Sequence, residues 1–259
     1  MSVGESRPST LRHIISLGSS FAAGPGLLPL SSRPAGRSTL NYPNLLASRL
    51  GATLTDLTVS GATLSNLLDT PFSSSIAPQV EGVEGDADVV TITAGGNDVG
   101  YTRGLMKDAV GSSLVGGLCM SLVSSPTVEE NEVVDKFRKV IDAVRTRAPK
   151  ARILLVEYLT VLGNDVKSGV NVPFNKDKVE RNREMCRMLN RIYARAAEGK
   201  ERCEVIHVGR MSEGHGVGAT DPWVSGHGWG MLTGGVMPWH PTKEGMKAVA
   251  DILYDTLKE

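Results

Sequence analysis

Aromatic residues, cysteines and net charge are all scarce in this chain, and each scarcity excludes something. Aromatics make up 5% of its 259 residues, too few for a platform that stacks nucleic-acid bases. Lys plus Arg equals Asp plus Glu at 28 each, so no net field draws the protein to nucleic acid or to an anionic membrane. Three cysteines, Cys119, Cys186 and Cys203, cannot all pair within the chain, and their spacings match no zinc pattern. They read as buried, reduced thiols. A Cys186–Cys203 bridge stays open, because spacing alone does not test disulfide geometry. No apolar run approaches the roughly 18 residues of a membrane span, and Met1 to Thr10 is polar, without the apolar core of a signal peptide. The expectation is a cytoplasmic protein with no membrane span and no nucleic-acid partner.

What is present is an alternation of short apolar runs with amphipathic stretches. His13-Ile14-Ile15, Ala52–Val59, Asp88–Thr93, Arg152–Tyr158 and Glu204–Val208 read as strands. Between them, Tyr42, Leu45, Leu46 and Leu50 fall at helical spacing before Gly51, and a short helix begins near Leu64. Val133, Val134, Phe137, Val140, Ile141 and Val144 mark an amphipathic helix; residues 176–198 and a stretch from Met246 to Leu257 mark two more. Ser31–Thr39 and the glycine- and serine-rich residues 100–127 read as irregular, and Gly209–Gly235 as a long functional loop. Strands alternating with helices predict a single domain over residues 1–259. Its class is α/β, a three-layer sandwich on a parallel sheet of about five strands.

Three of these strands run into turns rich in small residues: Gly18-Ser19-Ser20, Ser60-Gly61-Ala62 and Gly95-Gly96-Asn97-Asp98. In a doubly wound sheet the carboxyl ends of the strands share one edge, so the three turns can converge. Ser20, at a helix start, is placed to attack an acyl carbon. The backbone N–H groups of Ser20 and Gly61 and the Asn97 amide can donate to the resulting oxyanion. His240, just before the last helix, is the best-placed base. The bland readings are a helix cap for Ser20 and a turn residue for Asn97. His13 and His207 read as structural, Asp98 as bonding local backbone, and Trp223 and Trp239 as either pocket walls or packing. No metal ligand set and no cofactor is expected, and the absence of G-x-x-x-x-G-K-[ST] speaks against phosphate binding.

In order along the chain, these four blocks resemble the SGNH (GDSL-type) hydrolases. That family carries a G-D-S block, a glycine block, G-x-N-D and D-x-x-H-P; here the last reads Met237-Pro238-Trp239-His240-Pro241. The resemblance spans Gly18 to His240 and implies a flavodoxin-like α/β/α fold. It implies a metal-independent serine esterase or lipase acting on a small-molecule ester through an acyl-enzyme. Two departures stand out. Ser19 replaces the Asp before the nucleophile, where a serine can still cap a helix, and it offers a second hydroxyl. Met237 stands where the triad Asp would be, so the group that orients His240 is either the Met237 main-chain carbonyl, as in dyad relatives, or Asp221 from the glycine-rich loop. With an unperturbed imidazole near pKa ~6.5, activity would rise through neutral pH. Leu27, Leu28 and Leu30 suit a short or medium acyl chain. An acyltransferase, a thioesterase or an inactive flavodoxin-like binding module remain as alternatives.

Overall fold

Strands buried on both faces must be apolar along their whole length, and β1 (His13–Gly18) is buried at every position. In the computed structural model, which describes residues 11–111, 129–228 and 236–258, the chain continues through α1 (Ser20–Ala23) and a small ribbon of β2 (Leu30–Ser32) and β3 (Arg37–Ser38). Next come α2 (Tyr42–Leu50), β4 (Thr53–Asp56), α3 (Leu64–Leu68), β5 (Val89–Thr93) and α4 (Tyr101–Val110). Then follow α5 (Glu130–Arg147), β6 (Arg152–Val156), α6 (Lys176–Ala197), β7 (Cys203–Ile206), α7 (Val208–Met211) and α8 (Lys243–Lys258).

Five strands form one parallel sheet in the order β4-β1-β5-β6-β7. Ile15 pairs with Val90, Val90 with Ile153, and Ile153 with Cys203. From β1 the chain steps outward to β4, then returns across β1 to β5 and runs the other way to β7. Right-handed crossovers in opposite directions put helices on both faces. Accordingly α2 packs against α8, while α5 packs between α3 and α6. The reversal of direction falls between β1 and β5, the switch point where an open α/β sheet leaves a crevice at its carboxyl edge. The Ser20 and Asn97 turns leave the sheet at that crevice.

Several expectations change. Strand ends are shorter than the apolar runs: β6 stops at Val156, Glu157 makes a last backbone bond to Ile206 O at 3.2 Å, and the Glu157 and Tyr158 side chains bond at the carboxyl edge. Ser31–Thr39 holds the β2–β3 ribbon, closed by Thr39 N–H on Pro29 O at 3.0 Å. Residues 101–110 are helical despite Gly104. Asp108 of α4 is buried and meets Arg181 (2.5 Å) and Asn182 (2.7 Å) of α6, so tertiary anchoring overrides weak local propensity. Residues 112–128, with Cys119, lie outside the described residues, as does Trp229. Cys186 and Cys203 are both free thiols, buried and half-buried, and burial pushes each up to about 11. Among the described residues no helix is long and apolar enough to cross a membrane.

Candidate active site

The nucleophile turn is built where β1 ends. Gly18 has φ of +150°, and a Cβ there would strike the Thr93 carbonyl of β5, so only glycine lets the two strand ends approach. The buried Gln79 side chain clasps it, accepting from Gly18 N–H at 2.7 Å and donating to Gly18 O at 3.0 Å. Ser19 N–H then donates to Thr93 O at 2.9 Å, and α1 begins at Ser20. Ser19 occupies the N-cap position without capping: its hydroxyl makes no bond to the helix and pairs instead with the Tyr158 hydroxyl at 2.7 Å. The Tyr158 oxygen also accepts from Gly96 N–H at 3.2 Å. One buried phenol thus ties the Ser19–Ser20 turn to the Gly96–Asn97 turn, and burial holds its pKa well above the ordinary range.

A second pair of bonds ties the Asn97 turn to the glycine turn. Asn97 Nδ2 donates to Ala62 O at 2.8 Å, and the Asp98 carboxylate accepts from Leu64 N–H at 3.0 Å. Asp98 therefore serves the start of α3 as well as its own backbone N–H. Gly61 has φ of +89°, while a Cβ there would meet only Phe72 at an ordinary 3.7 Å. Glycine is required at 61 by backbone conformation rather than by crowding. Among the described residues the N–H groups of Ser20 and Gly61 take no partner, and Asn97 keeps one amide hydrogen uncommitted.

His240 reaches the same crevice from the start of α8. Its Nε2 lies 2.9 Å from Ser20 Oγ, and both residues are buried, at 3% and 4% exposure. Its Nδ1 lies 2.8 Å from the Pro238 carbonyl. A carbonyl only accepts, so Nδ1 carries the proton and Nε2 presents its lone pair to the Ser20 hydroxyl. The carbonyl at Nδ1 is thus that of Pro238, and not that of Met237 as expected from the sequence. Met237 O is already engaged by Ser225 Oγ (2.7 Å) and His240 N–H (3.3 Å). Asp221 is not at His240 at all. Its carboxylate is 68% exposed and faces His215 Nδ1 at 3.6 Å, and its main-chain oxygen accepts from the same nitrogen at 2.8 Å.

The histidine turn is held from outside by residues 223–225. Val224 bridges Pro241 in antiparallel fashion, Ser225 N–H donates to His240 O, and Trp239 N–H donates to Ser225 O. Trp239 adopts φ of +64°, a left-handed conformation that costs a non-glycine residue about 1 kcal/mol or more. Its ring offsets that cost by burying fully beside Phe174 and His227. Trp223 stacks on His215 at 3.9 Å. Both tryptophans take the packing role.

Desolvation dominates the electrostatics. Burial pushes the His240 imidazole down to about 4, against a smaller opposing effect of the Pro238 carbonyl. The sequence-based expectation of a titration near neutrality is corrected accordingly. Among the described residues one group, His13, Glu84 and Asp86, brings potential metal-ligand atoms together. It lies at the amino end of β1, away from Ser20, and both His13 nitrogens are engaged by Asp86 (3.0 Å) and Thr55 (2.9 Å). His207 bonds the buried Glu157 at 3.0 Å. Sequence reasoning missed Gln79, Tyr158 and Ser225, which sit in no block, and the Pro238 carbonyl, which sits inside the histidine block but carries no signal as a main-chain atom.

Residues 16–248 match the GDSL-like lipase/acylhydrolase family. Lipase 2 of Streptomyces coelicolor is 29% identical over 94% of this chain and 85% of its own. Two solved structures share the fold. The extracellular lipase of Streptomyces rimosus has a TM-score of 0.70 and 21% identity, covering 94% of this chain and 99% of that one. Phospholipase A1 of Streptomyces albidoflavus NA297 has a TM-score of 0.73 and 18% identity, covering 96% and 100%. With its family matched over nearly the whole length, the chain belongs to the GDSL-like lipase/acylhydrolases, a family of carboxylic ester hydrolases.

Proposed function

We propose that this chain, as one domain over residues 1–259, hydrolyses carboxylic esters of short to medium acyl chain through an acyl-enzyme at Ser20. The observation that carries the reading is the relay Pro238 O, His240, Ser20, with contacts of 2.8 and 2.9 Å. His240 takes the Ser20 proton as Oγ attacks the acyl carbon, then returns it to the leaving alkoxide. Water, deprotonated by the same nitrogen, releases the acid. Ser20 N–H, Gly61 N–H and the spare Asn97 hydrogen donate to the oxyanion of both tetrahedral intermediates. The Pro238 carbonyl orients His240 in place of a carboxylate, so the site works as a dyad, with no metal or cofactor in any step.

Release of p-nitrophenol from acetate, butyrate and octanoate esters tests the activity, and turnover lost in Ser20→Ala assigns it to this site. Asn97→Ala is expected to lower kcat by ~10²-fold with the fold intact; an unchanged kcat would return Asn97 to a turn role. Asp221→Asn is expected to leave turnover within about twofold. An orienting carboxylate would instead be worth about 10⁴ in kcat, so a loss of that size would overturn the dyad. We place the enzyme in the cytoplasm, where the free thiols of Cys186 and Cys203 suit a reducing compartment. Fractionation of the producing cells tests this, and activity recovered in the culture medium would refute it.

A further inference from the structure

Phe72 is a large apolar side chain left 38% exposed, and it stands beside the proposed oxyanion site. A Cβ built on Gly61 would lie 3.7 Å from Cε2 and Cζ of its ring, so the ring edge is in van der Waals reach of the Gly61 turn. The segment that carries it is fixed. Phe72 N–H donates to Ile76 O at 3.0 Å and Ile76 N–H to Ser73 O at 3.2 Å. The Asn66 amide of α3 also donates to the Thr70 and Pro71 carbonyls at 3.2 and 3.5 Å. More than half of the ring is covered, and the part left in water on so constrained a loop is an apolar surface that a ligand can still cover.

The chemistry at Ser20 decides what such a ring would touch. In the tetrahedral intermediate the leaving oxygen must lie at His240 Nε2 to receive its proton, and the oxyanion points to Gly61 and Asn97. The remaining substituent, the acyl chain, is free to extend past the oxyanion donors, and the Phe72 ring is the exposed apolar surface within van der Waals reach of one of them, Gly61. We infer that the Phe72 ring is the surface along which the acyl chain lies, and that it sets the preference for acyl length. This rests on the assignment of Ser20 and His240 made above.

The test is kcat/KM for p-nitrophenyl acetate, butyrate and octanoate with wild type, Phe72→Ala and Phe72→Leu, alongside acetate esters of increasing alcohol length. Methylenes seated on an open ring, rather than sealed in a pocket, justify about a tenfold effect in total. Phe72→Ala is expected to lose about tenfold on octanoate, mostly in KM, and less than twofold on acetate. Phe72→Leu should fall between, and the alcohol series should be unchanged. An unaltered acyl-length profile, an equal loss on all acyl lengths, or a loss that tracks the alcohol would each overturn the inference. Ser20→Ala, run in parallel, keeps the two levels apart. Activity surviving there refutes the nucleophile, whereas a flat Phe72→Ala profile with a dead Ser20→Ala refutes only the acyl surface.

Discussion

Ser20→Ala is expected to lower ester turnover by at least about 10⁴-fold, because nucleophile and base in such sites act as one unit. What survives should be only the slow catalysis that oxyanion donors and binding give to attacking water. The fold should be unaffected. Among the described residues Ser20 Oγ bonds only His240, and the backbone of the turn is fixed independently through Gly18, Gln79 and Thr93. Far-UV circular dichroism and the thermal midpoint therefore separate loss of chemistry from loss of structure. Retention of a tenth or more of the wild-type rate would mean that another group attacks. Ser19 would be the neighbour to examine, although its hydroxyl is buried and committed to Tyr158.

His240→Ala should be nearly as damaging, and the double variant Ser20→Ala/His240→Ala no worse than either alone. Further loss in the double variant would show the two residues acting independently and would break the proposed relay. The pH profile carries a second, sharper expectation. Only neutral His240 can accept the Ser20 proton, so kcat/KM rises with pH through the pKa of the free enzyme. With burial holding that value at about 4, the rising limb lies in acid and the rate is level from about pH 5 through neutrality. A limb centred near the unperturbed value of ~6.5 would instead mean that the crevice admits enough water to hydrate the imidazolium. A carbonyl partner suits this state. It fixes the tautomer while stabilising the cation less than a carboxylate would, since a neutral carbonyl brings no opposite charge to the imidazolium.

The parts of this arrangement that were legible in the sequence are those carried by short, local patterns. Apolar runs that end in small-residue turns mark strand ends, and the four blocks mark Ser20, Gly61, Asn97 and His240 as candidates, of which Ser20 and His240 meet at 2.9 Å. The parts that were not legible depend on residues far apart in the chain. Ser19 lies 139 positions from Tyr158, and Gly18 lies 61 from the Gln79 that clasps it. Whether the Met237 or the Pro238 carbonyl faces Nδ1 turns on the left-handed φ of Trp239. That angle is set by where its ring packs and by the clamp through Ser225, which no spacing encodes. Helix α4 is illegible for a similar reason: Gly104 argues against a helix locally, and the partners of buried Asp108 that secure it, Arg181 and Asn182, belong to α6.

The central claim is that Ser20 is made nucleophilic by a histidine held on a main-chain carbonyl. Its most direct measurement is the reaction with a fluorophosphonate, read by intact mass and peptide mapping on wild type, His240→Ala and Asp221→Asn. One adduct on the peptide containing Ser20 is expected, formed at the same rate in wild type and Asp221→Asn and far more slowly in His240→Ala. An adduct on any other residue, or a rate that collapses in Asp221→Asn, would contradict it.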